Sequence, residues 1–139
     1  MLSIGKECMA LRSRMAARTI TRAYDAALKP IGLRITQFTV LACIATELTN
    51  SISGLADYMA VERTTLTRNL QLLEKKGLIK IFDEGYRRSR QMRLTDQGRA
   101  KLDAAIPLWQ NAQDELKEKM GQDEWNMVSA GLSMLTKSV

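Results

Sequence analysis

TNSISGLADYMAVERTTLTRNLQLLEKKGLIK, residues 49–80, contains two amphipathic patterns separated by three residues. Ser51 or Ser53 can cap a short helix whose Leu55, Ala56 and Met59 turn to a core. Ala60, Val61 and Glu62 interrupt it. Leu66, Leu70 and Leu73 then recur at steps of four and three, which marks one face of a longer helix. That helix ends at Gly77, with Lys75 and Lys76 placed to complement its C-terminal dipole. Two short helices joined by a tight turn make a helix-turn-helix.

The second helix turns Arg63, Thr67 and Gln71 outward in one row, with Thr64 and Arg68 in the next. Hydroxyls and backbone N–H groups at a helix start suit phosphates, and Arg and Gln can read base edges. The same pattern fits a capped helix with solvated arginines. Beyond it, Ile79 and Ile81 alternate with Lys80, and Met92 and Leu94 alternate with Gln91 and Arg93. Period two predicts paired, half-buried strands with Gln91 and Arg93 on the solvent side. Between them DEGYRRSR, residues 83–90, is too polar to pack and is the right length for a projecting loop. Helix-turn-helix and hairpin together read as a winged helix. Arg87, Arg88 and Arg90 at the tip can neutralise phosphates, and a guanidinium suits a narrow minor groove.

The flanks read as helices. Residues 6–29 place Met9, Ala16, Ile20, Ala23 and Ala27 on one stripe and Arg14, Arg18 and Arg22 on another, and the pattern stops at Pro30 and Gly32. A helix over 36–48 turns Phe38, Leu41, Ala42 and Ala45 inward, and Cys43 is expected in the core. After Thr95, Leu102, Ile106, Trp109, Leu116 and Met120 form a near-heptad seam that Pro107 should bend. A last helix from about Gln122 shows Trp125, Val128, Leu132 and Leu135. These tail helices fit either a second copy of the chain or their own core, and the dimer is the favoured reading. A two-fold dimer sets two reading helices about one DNA turn apart, which suits pseudo-palindromic sites. The expected fold is mainly α with a small β-hairpin wing. Residues 1–34 and 98–139 supply dimerisation helices around a winged helix-turn-helix at 35–97, in one integrated domain.

Charge supports this order. The chain has 139 residues and a net charge of +6, and residues 61–101 alone hold eleven Lys/Arg against five Asp/Glu. A localised basic region is an electrostatic footprint for nucleic acid or an acidic surface. The absence of histidine removes the commonest general base and the zinc sites that need one. No glycine-rich phosphate loop and no metal motif is present, so no enzyme, metal or cofactor is expected. No apolar run approaches the ~20 residues of a membrane span, and the N-terminus lacks a signal-peptide core. A cytoplasmic protein is the expectation.

RTITRAYDAALKPIGLRITQFTVL, ISGLADYMAVERTTLTRNLQLLEKKGLI, the wing ending in MRLTDQG, and AIPLWQNAQDEL occur in order along nearly the whole chain. In this it resembles the MarR (multiple-antibiotic-resistance regulator) family of bacterial transcription regulators. The resemblance implies a mostly helical, triangular homodimer closed by its terminal helices. Arg63, Thr64, Thr65, Thr67 and Arg68 then fall where members contact the major groove and adjacent phosphates, and Arg88 falls on the arginine that enters the minor groove; Ser53 and Gln71 complete the DNA-binding candidates of the helix-turn-helix. One departure is Tyr86, where the family usually has an aspartate that orients this arginine; Asp83 or Glu84 is the available substitute. Members typically repress and release DNA when a small, often phenolic or aromatic, ligand binds. A few sense oxidants through a first-helix cysteine, which makes Cys8 a redox candidate, although a small gap separates it from theirs and no tyrosine follows in the next turn.

The expected function is a sequence-specific, homodimeric repressor that binds double-stranded DNA and responds to a small effector. A nonspecific architectural DNA binder and a winged-helix protein-interaction module are the alternatives.

Overall fold

The computed structural model describes residues 3–82 and 91–139. The elements run α1 (Ile4–Glu7), α2 (Met9–Leu28), a 3-10 turn (Lys29–Ile31), α3 (Ile35–Ala45), α4 (Ile52–Met59), α5 (Arg63–Lys75), β1 (Ile79–Ile81), β2 (Met92–Leu94), α6 (Asp96–Met120) and α7 (Gln122–Lys137). The first helical segment is therefore two helices, broken at Cys8, whose backbone is extended (ψ 108°).

The lobe formed by α3, α4, α5 and the hairpin is organised by how its helices stop. Gly32, Glu47, Ala60 and Gly77 each take a left-handed conformation. At each, the next N–H reaches back over the helix end: Leu33 to Leu28, Leu48 to Cys43, Val61 to Ala56 and Leu78 to Leu73. This closure satisfies carbonyls that a helix end leaves orphaned. It also explains why α3 stops at Ala45, three residues short of the periodic expectation. Asp25 fixes the other end of α3, its Oδ1 accepting the N–H of Ile35 at 2.8 Å.

Leu66, Leu70 and Leu73 of α5 are fully buried, together with Leu41 and Val40 of α3, Leu55 of α4 and Ile79 of β1. Each such leucine contributes about 2 kcal/mol of burial. The strands pair antiparallel, Ile79 with Leu94, Lys80 with Arg93 and Ile81 with Met92. Cys43 is buried among them.

The LTDQG stretch joins this lobe to α6. Thr95 caps α6 by accepting the Gly98 N–H at 3.0 Å, and its hydroxyl donates to the Gly77 carbonyl at 2.6 Å. A Cβ at Gly98 would lie 1.8 Å from the Leu78 carbonyl oxygen. Only glycine admits that approach. Past this joint α6 runs through Pro107 as one helix. Leu102 and Ala105 enter the core, and Trp109 stacks on Phe38 with ring centroids 5.7 Å apart.

The seam expected on α6 therefore divides. Leu102 and Trp109 serve the chain's own core, while Ile106 is exposed. On α2, Tyr24 and Leu28 are buried, and Met9 and Ile20 of the stripe are exposed. No residue of α7 is buried.

Candidate nucleic-acid interface

Helix α5 presents its polar side to solvent because its leucines fix the rotation. Arg63, Thr64, Thr65, Arg68 and Gln71 are exposed, and Thr67 is half-buried on the flank. The N-cap, Glu62, makes no side-chain capping bond, and the first turn holds no acidic residue. Arg63 Nη1 donates to Ser53 Oγ at 2.9 Å. That bond links the outward sides of α4 and α5, and it joins two of the residues singled out in sequence. On α4, Ser51 is the cap, accepting the Gly54 N–H at 3.0 Å.

The base of the wing continues the basic surface. Lys80 and Arg93 are exposed register partners on one side of the hairpin. Like charges directly opposite each other are unfavourable. Here both lie over the Phe82 ring, Lys80 Nζ at 5.4 Å and Arg93 Cζ at 5.5 Å from its centroid. Cation–π attraction offsets the repulsion. Glu74, near the end of α5, accepts the Ile81 N–H at 2.7 Å and ties α5 to the hairpin. The tip candidates Arg87, Arg88 and Arg90, and the question of Tyr86, Asp83 and Glu84, lie outside the described residues.

One expectation is corrected. Gln91, assigned to the solvent side with Arg93, is buried. It lies just before β2, where strand alternation no longer holds, and its Oε1 accepts the N–H of Ile52 at 2.8 Å. Sequence periodicity contains no signal for this contact. Lys80 is visible in sequence as an outward strand residue, but its shared contact with Arg93 on the Phe82 ring requires the register.

Three surface cavities bear on ligands and partners. One of about 380 Å³ lies where α2 meets α3 and is lined by Asp25, Lys29, Leu33 and Arg34. Another, of about 300 Å³, lies between α3 and the start of α6, with Glu47, Arg93, Asp96 and Arg99 around it. The third, of about 550 Å³, is a largely apolar groove between the start of α2 and α7, lined by Met9, Ala16, Val128, Leu132 and Leu135. Cys8 is half-buried at the α1–α2 break. Among the described residues no His, Cys, Asp and Glu group could hold a metal ion. No single helix among them is long and apolar enough to cross a membrane.

A helix-turn-helix with a basic outer face, followed by a short hairpin, defines a winged-helix protein of the nucleic-acid-binding type. A model of the MarR family matches residues 33–81. M. tuberculosis transcriptional regulator MosR is 39% identical over 95% of each chain, with a TM-score of 0.82. Its structure in complex with DNA gives 40% identity over 95% of this chain and 96% of that one, with a TM-score of 0.84. The repressor CouR bound to p-coumaroyl-CoA shares the fold at 22% identity, covering 100% of this chain and 99% of that one, with a TM-score of 0.86. A comparison with curated proteins found no match. The chain belongs to the MarR family of transcription regulators.

Proposed function

We infer that the protein is a homodimeric, sequence-specific regulator of transcription that binds double-stranded DNA, represses from pseudo-palindromic operators and responds to a small effector. The observation that carries this reading is the outer face of α5. Arg63, Thr64, Thr65, Arg68 and Gln71 share it, Ser53 adjoins it, and the Lys80–Phe82–Arg93 stem extends the same positive surface. The likeness to DNA-bound MosR supports it. In this reading α5 enters the major groove, Thr64 and Thr65 meet phosphates at its start, and Arg68 and Gln71 reach base edges. Arg87, Arg88 and Arg90 bring the wing tip to the minor groove.

Helices α2, α6 and α7 close the dimer, which covers the apolar groove at Leu132. The cavity between α2 and α3 suits the effector, since it lies between body and lobe and Lys29 and Arg34 favour an acid. CouR, of the same fold, was solved with p-coumaroyl-CoA. The protein acts in the cytoplasm and by binding, without catalysis.

The test is a duplex selected by the protein from a randomised pool. Arg68→Ala should weaken binding to it by about 1–3 kcal/mol and relax its sequence preference. Equal competition by unselected DNA would make the protein a nonspecific binder instead.

A further inference from the structure

A two-stranded hairpin is marginally stable alone. With three residue pairs, the wing takes its attitude from what holds its base. Glu74 holds β1 through an exposed bond to Ile81, and Thr95 holds the far end of β2 to Gly77. Ile79 and Met92 seat the hairpin's apolar side in the core, and Gln91, just before β2, adds a buried polar hold. Among the described residues it is the one buried polar side chain.

Gln91 is bonded in three directions. Its side-chain Oε1 takes the N–H of Ile52, its own N–H donates to the Asn50 carbonyl at 3.0 Å, and its carbonyl accepts the Phe82 N–H at 2.7 Å. Ile52 is the first residue of α4. The first-turn donors of α4 are thus shared between a local cap, Ser51 on Gly54, and a residue of the wing. The next residue, Ser53, accepts from Arg63 of α5. Wing stem and reading face are separated by two consecutive residues of α4.

We propose that Gln91 is a positioning residue that fixes the wing's attitude towards α5, so that both engage one duplex together. The proposal rests on the DNA-binding reading above. A bond lost inside the lobe would leave its leucine core intact while the stem gained freedom relative to α4. The stem would then have to be ordered on meeting DNA, at a cost in affinity.

The experiment uses the full-length protein and a duplex selected from a randomised pool by the wild-type protein. Failure of the wild type to select any duplex would remove the DNA-binding reading itself, a result separate from those below. Gln91→Met keeps side-chain length and removes the acceptor. It should weaken binding about fivefold and make the salt dependence shallower. Arg88→Ala should cost less in the Gln91→Met background than in wild type, because the wing is already partly disengaged. Strictly additive losses with an unchanged salt slope would overturn the proposal, since a merely structural role gives that pattern. Gln91→Glu restores an acceptor beside the positive end of α4. In that background Arg88→Ala should again cost as much as in wild type. If Gln91→Met fails to fold, the Glu variant decides alone, and an Arg88→Ala loss that vanishes there overturns the proposal.

Discussion

Helices α5 and α7 carry the same kind of pattern and meet opposite fates. In α5, Leu66, Leu70 and Leu73 recur on one face and all are fully buried. In α7, Val128, Leu132 and Leu135 recur on one face, yet Val128 and Leu132 are about half exposed and no residue of the helix is buried. The partners of α5 are local: α4 and β1 adjoin it in sequence, and α3 closes the same lobe. The face of α7 borders an open groove whose other wall is the start of α2. Helical periodicity therefore says that a face must be covered, and not by what. The lobe closes within one chain, whereas α2 and α7 leave an apolar face uncovered.

The largest effect should come at the joint between the lobe and α6. Gly98 is packed so closely on Leu78 that a side chain meets backbone rather than a movable group. Gly98→Val should cost more than about 3 kcal/mol, because overpacking and backbone displacement act together. Denaturant unfolding followed by circular dichroism measures it. A variant with wild-type stability would mean that α6 can slide on the lobe, and the joint would not be what fixes the two regions.

A smaller effect should follow from attacking the open face. Leu132→Glu places a charge in the apolar groove beside Met9 and Ala16. Sedimentation should show a monomer, and binding to the selected duplex should weaken about a hundredfold through loss of the second reading helix. The lobe's leucine core should be untouched. A dimer that survived this change would place the pairing surface elsewhere than on α7.

The same contrast explains what could be read from sequence. The helix-turn-helix was legible because its core residues lie within one continuous stretch, and the two strands followed from alternation at Ile79, Ile81, Met92 and Leu94, whereas their register came only with the fold. The seam on α6 was legible as apolar but not as divided. Leu102 and Trp109 turn to the chain's own core while Ile106 turns out, and spacing alone does not distinguish two partners on one helix. The end of α3 was misplaced because Glu47 adopts a left-handed conformation that glycine would have announced. Gln91 was assigned outward because alternation was carried one residue past the strand, into a tertiary contact that no local pattern encodes. For the outer face of α5, exposure follows from where the leucines point. Its use on DNA is an inference from chemistry and family.

Each region also carries its own titrating group, with a smaller effect on stability. Cys43 lies in the lobe core and Tyr24 between α2 and α6, where its hydroxyl donates to Gln113 Oε1. Burial raises the thiol above its ordinary value of 9.0 and the phenol above its ordinary value of 10.0. A raised value means that the unfolded chain loses these protons first. Their stabilising contribution is thus intact below about pH 9 and is lost as pH climbs through the folded values. The urea midpoint should be flat in this respect from pH 7 to about 8.5 and decline above it, and Cys43→Ala should remove the earlier part of that decline. In Leu132→Glu the Cys43 contribution should persist, because the lobe closes around it without a partner. If the alkaline step of Cys43 disappeared with the dimer, the lobe would depend on the second chain and the division between a finished region and an unfinished one would fail.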